Sequence, residues 1–114
     1  MLESANQKID EVDIDEKLCL GIDYNSTDAS AISVATLVTV LTSGGAETRT
    51  LPNGREGQVK ILLGGSTVTG AITVTPAAMN GYSNVAIGDE GRGVILLFSK
   101  GKWSIIALGY ATGA

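Results

Sequence analysis

The chain has 114 residues, 44% of them apolar but with one Trp, one Phe and three Tyr, a net charge of −4, one Cys and no His. That length builds one core and not two. Without His there is no Ser–His or Cys–His nucleophile pair, and the commonest metal ligand is missing; the lone Cys19 excludes an intramolecular disulfide.

The charge is uneven along the chain. Residues 1–28 hold eight acids against Lys8 and Lys17, a balance of −6, whereas residues 29–114 hold four acids against six bases. Neither part has the basic cluster that a nucleic-acid partner requires. Met1 to Asp15 opens with Ser4 and Gln7 at capping-box spacing and with Leu2, Ile9 and Val12 loosely on one side. One or two helical turns are marginal in water, so this stretch is expected to be an acidic arm, extended or briefly helical, disordered or docked on a neighbour. It has no basic start followed by a long apolar run, so no signal peptide is expected. The longest apolar runs, about five residues, fall far short of the ~20 that span a bilayer, and no membrane partner is expected.

Lys17 to Tyr24 (KLCLGIDY) reads as a first short strand, with Cys19 a small buried residue between Leu18 and Leu20. Asn25-Ser26-Thr27-Asp28 is then loop chemistry. The chain divides on this reading into residues 1–32, an acidic arm with a first strand, and residues 33–114, a β domain.

From Ser33 the pattern is that of strands. SVATLVTVLTS is rich in β-branched residues, Gly44-Gly45 makes a turn, and ETRTL (Glu47 to Leu51) has the polar alternation of an exposed or edge strand. Pro52-Asn53-Gly54 is a turn in which Pro presets φ and Asn-Gly supplies positive φ. In GQVKILL, Val59, Ile61 and Leu63 share a face opposite Gln58, Lys60 and Leu62. Gly64-Gly65 and Gly70 bracket another turn, Ala71 to Pro76 alternates until Pro76 ends the strand, Asn80-Gly81 turns, and Asn84 to Ile87 is a short strand. Gly88 to Gly91 leads into Val94–Phe98 and Trp103–Leu108, a hairpin closed at Lys100-Gly101, where Gly takes positive φ. Both its strands are apolar on both faces, so it is expected to be covered on both sides, by its own domain or by other subunits. Val94, Leu96, Phe98, Trp103 and Ile105 are its candidate core residues. About seven strands at this turn spacing predict an all-β fold, a small antiparallel β-sandwich or barrel behind the N-terminal arm.

No catalytic constellation or cofactor site emerges. Counted from Asp13, an EF-hand loop would need Gly at its sixth position and Glu at its twelfth, where Leu18 and Tyr24 stand. The Gly-rich stretch Gly88–Gly93 lacks the third Gly and the following helix of a dinucleotide loop. Gly101-Lys102 resembles the end of a phosphate loop, but Leu96 replaces its first Gly and Trp103 its Ser/Thr. Tyr82 and Trp103 are the stacking residues available to a carbohydrate-binding alternative.

The run L-P-N-G-x-x-G-Q-V-K-I (Leu51 to Ile61), then V-T-P (Val74 to Pro76), N-G (Asn80-Gly81) and V-I-L-L-F-x-x-G-K-W (Val94 to Trp103) resembles a recurring module of tailed-phage virion structural proteins, in capsid decoration and tail-associated proteins. The resemblance covers about residues 47–108. It implies a non-enzymatic virion protein, made in the host cytoplasm and placed on the outer capsid surface as a decoration or cement protein. Its implied partners are the major capsid protein and copies of itself in a homotrimer. The arm, through Leu2, Ile9, Asp10, Glu11, Val12, Asp13 and Asp15, is the candidate capsid-contact element. A small tail, neck or fibre component is the alternative the same resemblance allows.

Overall fold

The structure, a computed structural model, describes residues 20–109. The arm residues, the expected N-terminal helix and Cys19 lie outside them. The described residues are all-β, with nine strands: β1 (Ile22–Asn25), β2 (Ser30–Ala31), β3 (Val38–Ser43), β4 (Glu47–Leu51), β5 (Val59–Val68), β6 (Ile72–Pro76), β7 (Val85–Ile87), β8 (Gly93–Ser99) and β9 (Lys102–Gly109). They form a five-stranded sheet in the order β1-β3-β5-β8-β9 and a four-stranded sheet in the order β2-β4-β6-β7. Seven of the nine follow Ser33.

The expectation of antiparallel sheets is corrected by the pairing. The pairs β1–β3, β3–β5, β2–β4 and β4–β6 are all parallel; only β5–β8, β6–β7 and β8–β9 are antiparallel. From β1 to β6 the chain alternates between the sheets, so each turn carries it across the core rather than back beside the strand just left. It winds through three coils stacked in parallel, then reverses into β7, β8 and β9, and no barrel closes. The barrel and the wholly antiparallel sandwich are therefore set aside. Val38 lies 16 residues after its partner Ile22, and Ile61 lies 23 after Val38, so the coils share no period that a sequence repeat could reveal.

Short Gly-rich corners make this winding possible. The corner at residues 44–46 joins β3 to β4 and the one at 69–71 joins β5 to β6, and the second lies directly on the first. Thr69 N donates to Ser43 O (3.2 Å), Glu47 N donates to Ala71 O (3.1 Å) and Ser43 Oγ donates to Gly70 O (2.8 Å). A Cβ on Gly70 would meet the backbone of Gly45 and Ala46, so no larger residue fits there. Gly64 and Gly65, expected in a turn, are instead inside β5; Gly64 N donates to Arg92 O (2.7 Å) and Gly64 O accepts from Gly91 N (2.9 Å). Nor is β4 an edge or exposed strand. It lies between β2 and β6, with Arg49 and Leu51 buried.

The core fills the space between the sheets. Ile32, Leu41, Leu51, Leu62, Ile72 and Val74 are at most 1% exposed, and Val85, Ile87, Val94, Leu96 and Phe98 complete it around a fully buried Trp103. Ile105 is partly buried against the cluster. The Phe98 and Trp103 rings meet edge to face with centroids 5.1 Å apart, a preferred arrangement for aromatic pairs.

Trp103 is held from three directions. Its Nε1 donates to Pro52 O (3.0 Å), its backbone N donates to Ala78 O (3.0 Å), and its backbone O accepts from Asn80 N (2.9 Å). Gly54 lies against the indole, where a Cβ would stand 2.9 Å from a ring carbon. Gly54 is not among the residues with positive φ, so the expected turn mechanism is corrected: Gly is needed there for closeness and not for backbone conformation. The rest of the loop ties to the hairpin. Gly57 N donates to Phe98 O and Phe98 N to Gln58 O, both at 2.8 Å, while the Glu56 carboxylate accepts from Lys100 N at 2.9 Å. Lys100 and Gly101, with φ of 53° and 79°, close the hairpin in the left-handed region that such two-residue loops require.

Truncating Trp103 to Ala removes the largest buried side chain and leaves Pro52 O without its donor. Urea unfolding is expected to show a loss of about 3–5 kcal/mol, and Gly54→Ala, which crowds the same ring, a loss of about 1–3 kcal/mol. A change below about 1 kcal/mol in both variants would contradict this account of the loop.

Candidate functional site

Three features of the described residues could carry function: two buried cations, a cleft at the open end of the core, and the outer face of the five-stranded sheet.

The first cation is Lys60. On β5 the residues facing the core are Lys60, Leu62 and Gly64, while Val59 and Leu63 face out at 36% and 37% exposure. A lysine can face inward here because its ammonium finds acceptors: Nζ donates to Thr36 O (2.9 Å) and Thr36 Oγ1 (3.0 Å), with Asp23 Oδ1 4.0 Å away. Asp23 Oδ1 in turn accepts from Thr36 Oγ1 (2.6 Å) and Thr39 Oγ1 (2.7 Å). Burial lowers the Lys60 pKa from its ordinary value, and the Asp23 charge offsets only part of that. Burial raises the Asp23 carboxyl, but the hydrogen bonds from Thr36 and Thr39, the Lys60 charge and its own backbone N–H outweigh it and leave the carboxyl below its usual value.

The second cation, Arg49, bridges the two sheets. Its Nε donates to Asn25 Oδ1 (2.7 Å) on β1, and Nη2 donates to Thr42 O (2.9 Å) on β3 and to Glu47 Oε1 (3.0 Å); Nη1 donates to Thr48 O (3.0 Å). Among the described residues no buried side-chain N or O atom lacks a partner. Both cations are therefore spent on backbone carbonyls and neighbouring carboxylates, and neither points into a space a substrate could enter.

The cleft, of about 310 Å³, lies between β7 and the far end of β9 and is lined by Tyr82, Val85, Ile87, Arg92, Ile105 and Leu108 among others. Arg92 pairs with Asp89 (3.5 Å). Tyr82 is 66% exposed, whereas Trp103 is fully buried. The stacking pair considered from sequence is thus not assembled: the indole is covered by the loop at 52–58. No group of three or more His, Cys, Asp or Glu gathers among the described residues, and no helix among them is long and apolar enough to cross a membrane.

The outer face of the five-stranded sheet is built by register. Ile22, Val38, Ile61, Ile95 and Ala107 form one row across all five strands, and Tyr24, Val40, Leu63, Gly93 and Gly109 form the next. Val59, Leu97 and Ser104 form a shorter third row. No charged residue interrupts these rows. Each of their residues is at least partly exposed, with Tyr24 at 74% and Ile22 at 53%. The alternating sequence of β3, VTVLTS, places Val38 and Val40 outward and Thr39, Leu41 and Ser43 inward. The β8–β9 hairpin is therefore covered by the core on one face only, as far as the described residues reach. No protein-family model matches the chain, and no curated protein sequence matches it significantly.

The Asp23–Lys60 pair sets a pH dependence. Because the folded chain holds the Asp23 carboxyl below its ordinary value of 3.8, the unfolded chain takes up that proton first on acidification. The contribution to stability is complete above the unfolded pKa and is lost as pH falls through the folded one. Lys60, also lowered, acts the other way: stability rises as pH climbs from its folded value towards 10.5. Asp23→Asn is expected to flatten the acid limb of a urea-midpoint profile taken between about pH 6 and 2.5. An acid limb as steep as that of the unaltered chain would assign the effect to other carboxylates.

Proposed function

We propose that the protein is a structural component of a tailed-phage virion, a decoration protein that binds the outside of the head and holds neighbouring major capsid subunits together. The observation that carries the reading is what the recurring motif residues do. Pro52, Gly54, Gly57, Gln58, Gly101 and Trp103 belong to one interlocked unit, loop against hairpin, joined by the Trp103 Nε1 bond to Pro52 O and the paired bonds between residues 57–58 and Phe98. Their bonding to one another supports reading the module that resembles virion proteins as a scaffold for surfaces. A polar interior spent on internal bonds and an uncharged sheet face support the same reading.

The mechanism is linkage. A protein that binds the assembled lattice and not free subunits stabilises the lattice by the free energy of binding, and several copies joined together gain avidity. The acidic arm at residues 1–16, with Leu2, Ile9, Asp10, Glu11, Val12, Asp13 and Asp15, is the capsid-reaching element on this proposal, and it meets basic residues of the shell. A tail, neck or fibre location is the competing outcome. A carbohydrate-binding role loses support, since Trp103 is covered.

Antibody labelling of intact virions, viewed by negative stain, is expected to mark the head surface. Label on the tail would move the protein there, and its absence from purified particles would reject the virion reading. Deleting residues 1–16 is expected to weaken binding to shells at least about tenfold while leaving the oligomer intact; undiminished binding would remove that role from the arm.

A further inference from the structure

We infer that the first coil, residues 20–31, is a detachable clasp: it lifts off the sandwich as one unit while the chain from Ile32 onward stays folded. Its release uncovers the edges of β3 and β4 and adds roughly 40 Å of extended chain to the N-terminal segment. The inference goes beyond the virion reading and stands whether or not the protein decorates a head.

What holds this coil is polar. None of its side chains belongs to the apolar core, whose first member along the chain is Ile32. On β1 the outward residues Ile22 and Tyr24 are 53% and 74% exposed, while the inward ones are Asp23 and Asn25. Beneath the coil the interior is polar too. Asp23 meets Thr39 and Lys60, and Asn25 meets Arg49, three buried polar or charged side chains. Water can replace partners of this kind but cannot replace an apolar core, and an element attached with few buried apolar contacts lies at the low end of local stability. The coil is also tied to itself: Ser30 Oγ donates to Thr27 O (2.6 Å), and Asn25 Oδ1 accepts from Thr27 N (3.2 Å). It therefore moves as one piece.

The opened state strands no charge. Lys60 keeps Thr36 O and Thr36 Oγ1, and Arg49 keeps Thr42 O and Glu47 Oε1, so both cations retain acceptors after Asp23 and Asn25 leave. The hinge falls at Ile32. Its side chain is buried in the core and its N–H donates to Thr50 O (2.8 Å), while just beyond it Val34 O accepts from Gln58 Nε2 (2.7 Å) and Leu37 O from Ile61 N (2.8 Å). Release also relieves strain, because Ala29 has φ of 58°, a left-handed conformation that a Cβ disfavours.

The test is amide hydrogen exchange of the full-length chain, read residue by residue by NMR over a series of low urea concentrations. The ladder-bonded amides of β1 and that of Ala29 are expected to share one opening that rises with urea, with protection at least about a hundredfold below that of β5 and β8. Leu37, Val38 and Thr48, whose N–H groups donate to Leu20 O, Gly21 O and Asp28 Oδ1, are expected to exchange with the coil although they lie outside it. Leu96→Ala, in the core, is expected to lower protection in β5 and β8 at least about thirtyfold and to leave that of the coil unchanged; Val74→Ala serves the same end should Leu96→Ala not fold. Coil amides as protected as β5 and β8, or lowered along with them by the core variant, would mean one cooperative unit and overturn the inference. So would coil amides that exchange independently of one another and of urea, the mark of a fraying edge. None of these results bears on antibody labelling of virions, so the two proposals fail separately.

Discussion

The Trp103 indole is the contact on which the rest of the architecture depends. It lies at the start of β9, the last strand, yet its bonds reach Pro52 after β4 and Ala78 and Asn80 after β6. These are the two places where the chain, leaving the four-stranded sheet, turns outward. One residue, through its indole and its backbone, thus joins β9 to the exits of the second and third coils. A coil stacked in parallel has bonding partners only above and below it, so an open stack frays at its ends. The hairpin of β8 and β9 closes one side of that stack, and Trp103 fastens the hairpin to it. Burial of an indole and its single hydrogen bond are inseparable here, because a buried N–H without an acceptor costs about as much as several buried methylenes provide.

The two buried cations solve a different problem created by the same winding. Where the winding interrupts a ladder, backbone carbonyls near the core must be satisfied from within. Lys60 supplies Thr36 O before β3, and Arg49 supplies Thr42 O at the register shift of β3 and adds a second donor to Thr48 O, which also accepts from Ala29 N. Long cationic side chains suit the task, since several donors at the end of a flexible stem reach carbonyls that a hydroxyl on the same strand cannot. The cost is desolvation, visible in the lowered pKa of Lys60; Asp23 and Glu47 offset it. This arrangement specifies the corners rather than adding large net stability, in keeping with the general behaviour of buried ion pairs.

Most strand positions after Ser33 and some turns were legible in the sequence because each is a local matter, whereas the Gly64-Gly65 turn proved to lie inside β5 and β2 was not foreseen. β-branched runs, Pro76 at a strand end and positive φ at Gly101 are written in a few adjacent residues. The sheet topology was not legible, for the reason that a corner and a hairpin turn draw on the same residues: Gly44-Gly45 would suit either. Unequal coil lengths hid the winding further. The face of β5 that turns inward was also hidden, since Lys60 reads as a solvated residue until Thr36 and Asp23, distant in sequence, are brought beneath it. Arg49 in ETRTL misleads in the same way. Gly54 has a plain signal, an Asn-Gly pair, that points to the wrong mechanism, because nothing nearby in sequence announces that Trp103 lies against it.

The distribution of charge connects the fold to what the protein does. Asp28, Arg55, Glu56, Asp89, Glu90 and Lys100 lie in loops, while Lys60 is turned towards Asp23 and, separately, Arg49 towards Glu47 and Asp28. The sheet face between them is left without charge, and the excess of acid is confined to residues 1–28. A protein whose substrate was small and charged would concentrate unpaired charge in a cleft, where low dielectric strengthens it. Here the cleft beside Tyr82 holds one arginine already paired with Asp89, and a larger, shallower hollow of about 650 Å³ at residues 53–58 holds charges of both signs, Arg55 and Glu56. The apolar area is spread over a broad, nearly flat sheet, a shape that complements another protein surface better than it encloses a ligand. Contact, distributed over a face and an acidic segment, is the activity proposed for this arrangement of residues.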